Sequence, residues 1–314
     1  MIIRALWFLV AISFFQSSQL LSQEITVGSY NIRYFGSREH SRSSEEIQKL
    51  ASRINSFNCD VLCCQEINTS GDGNQNGTRD WNELLDALGS NYRGWWGTTG
   101  SGQSLAFIWR KDRVKLSDLG EVRTLHRKGS QGEKKSFPRI PLHAYVKSLD
   151  GEMDFHLINV HLYWGSNSAR FREAKQLNRW VKNLQESNDD NQVVITGDFN
   201  TKPLGENESG NSKTVENLLK DNRLVWVSGK EGEFTTPDSR ERYDHAFVSS
   251  SLESAVVSDS WDVLREEFFS DMTSSEYKDV FSDHMPVLFK LKDVDSDDKP
   301  SGEYAKPRST EQNN

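Results

Sequence analysis

The feature that most constrains the fold is a run of β-branched apolar residues that ends in a glycine and two oxygen-bearing side chains. Residues 193–195 read Val-Val-Ile, and Thr-Gly-Asp-Phe-Asn follows at 196–200. Such a run is typical of a strand that is buried on both faces. Because side chains at positions i and i+2 of an extended chain share a face, Asp198 and Asn200 are predicted to point together. On its own the pattern fits a strand-closing Asx-turn equally well.

Composition and charge limit what kind of protein carries this strand. With 314 residues, of which 27% are charged and 11% aromatic, the chain is globular with a substantial core. A net charge of −8 argues against a protein that coats nucleic acid through bulk positive charge, but an enzyme that grips a few phosphates remains possible. Because no Gly-, Ser- or Pro-rich linker divides residues 24–292, one domain is predicted over 23–292.

The two ends of the chain differ from this domain. Residues 1–22 contain one basic residue, an apolar run over 5–15 and a polar segment, which together predict a signal peptide that is too short to span a membrane. An uncleaved anchor or an N-terminal strand is the alternative. We therefore expect a secreted or periplasmic protein without membrane insertion. Residues 293–314 are polar and lack apolar periodicity, so a disordered tail is predicted there.

The pattern of apolar residues predicts many strands and few helices. Hairpins occur together with crossover helices, which favours two packed mixed sheets with helices outside, an α+β (α/β) architecture. Cys59, Cys63 and Cys64 are predicted to be buried free thiols, since their spacing suits neither a disulfide framework nor a zinc site. The predicted strands are 24–35, 61–65, 92–97, 105–110, 142–147, 155–162, 193–195, 243–248, 254–257 and 285–291, with a strand pair over 114–122. Helices are predicted from 43, around 81–88, at 168–187 and at 214–224.

Six predicted strand edges carry a side chain suited to a phosphate or a metal ion. Each has an ordinary explanation, such as a turn residue or a core histidine, but their recurrence at six edges indicates a site. The residues are Asn31, Glu66, His161, Asp198 with Asn200, Asp244 with His245, and Asp283 with His284.

The residue types at these edges suit metal-assisted hydrolysis. Glu66 and Asp283 are suited to ligate a hard cation such as Mg²⁺, with Asn31 as a neutral neighbour. Two histidines and Asp198 can transfer protons and orient water. Donors such as Asn200 and Arg139 can stabilise charge that develops on phosphoryl oxygens.

The order of these motifs resembles the endonuclease/exonuclease/phosphatase superfamily over roughly residues 24–292. The resemblance rests on Gly-Asp-Phe-Asn at 197–200 and Ser-Asp-His-Met-Pro at 282–286 in particular. Residues 30–36 are most similar to the first strand of pancreatic-type deoxyribonuclease. The superfamily resemblance implies a four-layered α/β sandwich and Mg²⁺-dependent phosphodiester hydrolysis. Mn²⁺ is expected to substitute for Mg²⁺, and an additional structural Ca²⁺ is also expected.

The resemblance also implies a role for each residue. Glu66 would ligate the metal with Asn31 and Asp283 beside it, and His161 and His284 would be the acid/base pair. Asp198 and Asn200 would orient water and steady the phosphoryl charge, and Asp244 would support one of the two histidines. Arg33 and Arg139 would hold phosphates.

The sequence differs from deoxyribonuclease at positions that matter for substrate selection. Gln103 stands in place of a carboxylate that supports the first catalytic histidine, and Asn68 in place of a groove-reading arginine. The expected function is therefore an exported phosphodiesterase, most similar to a deoxyribonuclease-like endonuclease, with DNA or RNA as substrate. It is expected to be monomeric, with no stable protein partner. The alternatives are a sphingomyelinase-like or other lipid or small-molecule phosphodiesterase or phosphatase, and an inactive binding protein on the same fold.

Overall fold

The computed structural model describes residues 24–38, 40–68, 76–126, 137–187, 190–202, 212–227 and 233–295. The predicted signal peptide at 1–22 and residues 296–314 of the predicted tail lie outside these ranges. Within the described part of the chain, every helix is too short or too polar to cross a bilayer.

The described residues form twelve strands and six α-helices. The strands are β1 (Glu24–Phe35), β2 (Val61–Ile67), β3 (Tyr92–Trp96), β4 (Ser104–Arg110), β5 (Val114–Glu121), β6 (Leu142–Ser148), β7 (Asp154–His161), β8 (Val193–Asp198), β9 (Leu224–Val227), β10 (Asp244–Ser249), β11 (Asp262–Val263) and β12 (Val287–Lys292). The helices are α1 (Ser44–Ser56), α2 (Asn76–Leu88), α3 (Asn167–Ser187), α4 (Ser212–Leu219), α5 (Glu266–Phe269) and α6 (Ser274–Val280), and 3-10 turns cover Arg123–His126 and Ser250–Ala255.

The strands form two mixed sheets that pack face to face. The first sheet has the order β11-β12-β1-β2-β4-β3 and the second has the order β5-β6-β7-β8-β10-β9. In each sheet the central pair, β1 with β2 and β7 with β8, is parallel, and every other pair is antiparallel. Helices α1 and α2 contact each other beside the first sheet, as α3 and α4 do beside the second. The predicted sandwich is confirmed.

Each parallel pair is joined by a helix whose start and buried face follow from its sequence. Helix α1 begins at a capping box in which the Ser43 hydroxyl accepts the Glu46 N–H and the Glu46 carboxylate accepts the Ser43 N–H. Its predicted apolar face is buried, and the crossover brings the carboxyl ends of β1 and β2 to one edge. Helix α3 does the same for β7 and β8, so four strand ends meet at one end of the sandwich.

A buried polar network that the sequence did not reveal joins the two sheets below this end. The Gln65 side-chain amide on β2 donates to Asn159 Oδ1 on β7 at 2.9 Å and to Ser29 Oγ at 3.1 Å. Asn159 Nδ2 in turn donates to the carbonyls of Cys64 and Ala106 on the first sheet, at 2.9 and 2.8 Å. Buried amides of this kind must be fully hydrogen-bonded to be tolerated, so the network fixes how one sheet sits on the other.

Two sequence predictions about elements were wrong in detail, and further elements were not predicted. Residues 254–257 are not a strand, because Ser250–Ala255 forms a 3-10 turn and only Val256 bridges to Leu291. The helix predicted at 214–224 ends at Leu219, and Leu224 begins β9 instead. Elements β11, α5 and α6 were not predicted.

Other predictions about the core hold in the structure. All three cysteines are buried and free. Trp95 and Trp96, at the end of the predicted strand 92–97, are partly buried against the core. The prediction of disorder from residue 293 was wrong at its first residue, because Asp293 is buried and accepts the Ser148 hydroxyl at 2.5 Å and the Met153 N–H at 3.0 Å.

Candidate active site

The strand ends converge on the carboxylate of Asp198. Asn31 at β1 donates from Nδ2 to Asp198 Oδ2 at 3.0 Å and to Glu66 Oε1 at 3.2 Å. His161 and Asp198 are register partners at the ends of β7 and β8. The predicted grouping of Asn31, Glu66, His161 and Asp198 is therefore observed, with the two sheets each supplying two of the side chains.

Glu66 is held in a backbone conformation that few residues adopt. Its φ is +61°, in the left-handed region, which non-glycine residues enter at a cost that is often associated with function. One carboxylate oxygen receives the Asn31 amide, and the other receives the Tyr34 backbone N–H at 3.2 Å. Its side chain keeps 13% of its surface exposed, so an oriented carboxylate faces the solvent side of the site.

His284 and Asp244 form a dyad that spans the two sheets. His284 Nδ1 lies 2.8 Å from Asp244 Oδ2, so Asp244 supports His284 and not His161. The His284 backbone is fixed by the Ser282 hydroxyl at 3.0 Å and by the Tyr277 hydroxyl, which donates to its carbonyl at 2.7 Å. Burial alone would lower the pKa of His284, but the carboxylates of Asp244 and Asp198 outweigh it and raise that pKa well above its usual range. The imidazole is therefore held in its charged form.

Asp198, like Asp244, is almost fully buried. Its Oδ2 lies 3.4 Å from His161 Nε2 and 3.6 Å from His284 Nε2, and its Oδ1 accepts the Asn200 N–H at 2.8 Å. Burial is the largest cause that raises its pKa to about 7, with the Asp244 carboxylate adding to the rise and His284 opposing it. A carboxyl group that titrates near neutrality is suited to exchange a proton with water.

His161 has the opposite environment from His284. Burial, with Arg139 and His284 as nearby cations, lowers its pKa well below the usual range, so its imidazole is neutral. Its Nδ1 is buried and has no hydrogen-bond partner among the described residues. Gln103 stands where the resemblance would place a carboxylate that supports His161, but its Oε1 accepts a hydrogen bond from Arg139 Nη1 at 2.7 Å.

Arg139 and Asn200 both brace the loop after β7. Arg139 is buried and donates to the carbonyls of His161 and Leu162 at 3.0 and 2.8 Å. The Asn200 side chain also donates to the Leu162 carbonyl, at 3.0 Å. These contacts favour positioning roles, and the predicted contacts of both residues with phosphate stay predictions.

Arg33 and Asp283 lie together at the open edge of the site. Arg33 Nε is 3.7 Å from Asp283 Oδ2, Arg33 Nη1 donates to the Lys278 carbonyl at 3.2 Å, and the Asp283 side chain is 46% exposed. The predicted phosphate contact of the first residue and the predicted metal ligation of the second stay predictions. Both side chains are partly exposed, so they lie at the rim of the site and not in its interior.

The whole-chain comparisons agree with this geometry. The sequence profile of the Endonuclease/Exonuclease/phosphatase family matches residues 28–284. The chain belongs to this family. Its members are metal-dependent phosphoester hydrolases, and this chain is placed among them. Comparison with curated proteins gives no match.

Several solved structures share the fold of this family member at low sequence identity. A Bacteroides thetaiotaomicron protein described by the same family name is 20% identical, with a TM-score of 0.61 over 86% of this chain and 95% of that chain. A mannosyl-6-phosphatase from the same organism is 20% identical, with a TM-score of 0.59 over 85% and 99%. D. rerio TDP2 in complex with a single-strand DNA product is 18% identical, with a TM-score of 0.59 over 85% and 98%.

The donor set of the family site fits a divalent cation. Asp198 and Asp244 bring two carboxylates to the charged imidazole of His284, Glu66 lies on the His161 side, and Asp244 Oδ1 is buried without a hydrogen-bond partner among the described residues. The site offers two candidate positions for the metal ion. One is at Glu66, and the other is among Asp198, Asp244 and His284, whose ligand atoms all lie within 4.8 Å of one another. Metal ligands must be deprotonated, and His284 is held protonated by its carboxylate partners, which favours Glu66.

Arg42 is a positioning residue that sequence analysis did not identify. Its guanidinium is largely buried, donates to the carbonyls of Ile32 and Phe281, and lies 5.3 Å above the Phe35 ring. It thereby ties the end of β1, which carries Asn31, to the loop that carries His284. An arginine before a helix has no local pattern that distinguishes this role from a solvated surface charge.

Proposed function

We propose that this chain is an exported, divalent-metal-dependent phosphodiesterase that hydrolyses phosphodiester bonds in nucleic acid. The observation that carries the proposal is the His284–Asp244 dyad facing Asp198 beside the oriented carboxylate of Glu66. A charged acid, a titratable carboxyl group and a metal-type carboxylate in one site are the groups that phosphodiester hydrolysis requires.

The residues divide the proposed reaction between them. Asp198, with a pKa near neutrality, takes the proton of the attacking water. The Asn200 backbone N–H helps to orient the Asp198 carboxylate by donating to its Oδ1. His284 is the proton donor to the leaving oxygen, because Asp244 keeps it charged. Neutral His161 donates a hydrogen bond from Nε2 to phosphoryl oxygen as negative charge develops there.

Glu66 is the proposed metal ligand, with Asn31 and Asp283 beside it. Mg²⁺ or Mn²⁺ bound there would polarise the phosphoryl oxygens and neutralise their charge. Asn31 orients Glu66 through the hydrogen bond to Oε1. Arg33, at the open edge, is the proposed contact for an outer phosphate of the substrate once its pairing with Asp283 loosens.

The choice of nucleic acid as substrate is supported by a similarity in fold. A lipid enzyme would need an apolar element that docks on a bilayer, and the Trp95-Trp96 pair is not available for this, because it is partly buried against the core. The similarity in fold to a TDP2 that holds a DNA product agrees with nucleic acid as substrate, whereas the similarity to a mannosyl-6-phosphatase names the competing class.

A substrate panel tests the proposal. Purified residues 23–295 are incubated with single-stranded DNA, duplex DNA, RNA, sphingomyelin and a hexose 6-phosphate, each with Mg²⁺, with Mn²⁺ or with EDTA. We expect hydrolysis of nucleic acid that EDTA abolishes. Hydrolysis of the sugar phosphate or sphingomyelin alone would contradict the nucleic-acid assignment. Export is tested separately, by locating the full chain and a chain that lacks residues 1–22.

A further inference from the structure

Two of the most exposed aromatic rings stand at equivalent places on either side of the site. Among the described residues, the exposed large apolar side chains are Tyr34 at 39%, Leu149 at 49%, Trp164 at 70% and Val294 at 50%. Leu149 and Val294 follow β6 and β12 at the opposite end of the sandwich. Tyr34 lies three residues after Asn31 on β1, and Trp164 lies three residues after His161 on β7. Both aromatic residues are thus within about 10 Å of chain from a residue that contacts Asp198.

The loop that carries Trp164 is held in place by buried charges. Arg170 donates from Nη1 to the carbonyls of Tyr163 and Trp164 at 3.0 and 2.7 Å, and Glu173 accepts the Tyr163 N–H at 2.8 Å. Both Arg170 and Glu173 are buried, at 5% and 2% exposure. The exposure of the indole is therefore built into the fold, since its backbone is fixed on the protein side.

The polar side chains near Trp164 are engaged with each other. The hydroxyls of Ser166 and Ser168 lie 3.0 Å apart, and Arg170 Nη2 donates to Asn167 Oδ1. What this loop leaves most exposed is the indole of Trp164. A nucleobase can stack on such a ring whatever its identity, because every base has a π-face.

Tyr34 is fixed on the first sheet in a comparable way. Its backbone N–H is bound to Glu66 Oε2, its φ is +48°, and its ring stacks on His40 with centroids 5.1 Å apart and an interplanar angle of 11°. The ring is thus oriented by its neighbours beside the proposed metal carboxylate.

We propose that Tyr34 and Trp164 are stacking platforms for the bases on either side of the scissile phosphodiester. The proposal rests on the proposed function and names what that site selects, which is unpaired nucleobases. Because stacking needs no net positive charge, it explains how a chain of net charge −8 would hold a polyanion. Two rings on opposite sheets leave the phosphate between them, at Glu66 and Asp198.

The test compares a single-stranded oligonucleotide with a strand of the same length and charge in which every nucleotide is abasic. For the wild-type protein we expect kcat/KM to be at least about tenfold higher on the strand that has bases. Trp164→Ala is expected to lose about tenfold on that strand and less than about twofold on the abasic strand, and Tyr34→Ala to follow with a smaller loss. Trp164→Phe should retain most of the activity, and Leu149→Ala is the matched exposed control.

Equal losses on both strands for Trp164→Ala, or no preference of the wild type for bases, would overturn the stacking role while leaving a nuclease in place. If neither strand is cut but another phosphoester is, the proposed function fails on its own. Fluorescence anisotropy of the two labelled strands with His284→Ala in Mg²⁺ then decides the stacking role. Tighter binding of the strand with bases, lost in Trp164→Ala/His284→Ala, supports it, and equal binding of both strands contradicts it.

Discussion

The two sheets of this molecule follow one plan but end in different chemistry. Strands β11-β12-β1-β2-β4-β3 correspond in order and direction to β5-β6-β7-β8-β10-β9, with the helix-joined parallel pair at the same place. In the first sheet that pair ends in Asn31 and Glu66, and in the second it ends in His161 and Asp198. The same topology thus delivers an oriented, partly exposed carboxylate on one side and buried titratable groups on the other.

Burial accounts for the difference between the two sides. Glu66 is reached by solvent and receives an amide and a backbone N–H, which suits a group that meets a metal ion. Asp198 is fully buried beside Asp244, and its pKa is raised to about 7. Proton transfer is therefore assigned to the second sheet, and the His284–Asp244 contact links it to the loop that leads into β12 of the first.

Removing the two histidines has the largest expected effect. His284→Ala and His161→Ala are each expected to lose at least about 10²-fold in kcat, the usual scale of a proton-transferring or charge-stabilising group. Steady-state rates on a nucleic-acid substrate measure this, with Leu149→Ala as a matched control at the far end of the sandwich. A His284→Ala protein with normal turnover would contradict the role of His284 as the proton donor.

The link between the sheets is tested by Asn159→Leu. The substitution leaves the Cys64 and Ala106 carbonyls and the Gln65 amide without their partner, so a loss of about 3 kcal/mol in the free energy of unfolding is expected. Ser29→Ala removes only the contacts of the Ser29 hydroxyl with the Gln65 side chain, at about 1 kcal/mol. Urea unfolding compares the two variants, and equal losses would show that Asn159 does not hold the sheets together.

Much of this arrangement could be predicted from the sequence, and the remainder depends on tertiary pairing. Asn31, Glu66, His161 and Asp198 follow buried apolar runs, and local pattern alone places such residues at strand ends. That Asp244 reaches His284, and that Gln103 reaches Arg139, depends on which loops meet across the sheets. The exposure of Trp164 was also not apparent, because a Trp after a buried strand is ordinarily part of the core.

A smaller effect, on the pH dependence of stability, distinguishes helix α3 of the second sheet from helix α1 of the first. Glu45 of α1 is exposed, but Glu173 of α3 is buried, and burial raises its pKa to about 7 from 4.5. The folded state therefore holds a proton that the unfolded chain releases, and this stabilisation is fully present below pH 4.5 and lost as the pH rises through 7. The wild type should lose up to about 3 kcal/mol of unfolding free energy between pH 4.5 and 8 relative to Glu173→Gln.

Urea unfolding of both proteins across that range measures the difference. Any constant offset from the changed hydrogen bonds of the amide cancels, because only the pH dependence is compared. Parallel profiles for the wild type and Glu173→Gln would contradict the raised pKa.

The central claim, that the metal ion binds on the Glu66 side and protons are handled on the Asp198 side, is tested most directly by metal binding without substrate. Calorimetric titration of Mn²⁺ into the wild type, Glu66→Gln and Asp198→Asn reports it. We expect Glu66→Gln to weaken binding by at least about tenfold and Asp198→Asn to change it by less than about threefold. Lost binding in Asp198→Asn with unchanged binding in Glu66→Gln would place the ion among Asp198, Asp244 and His284 and contradict the account.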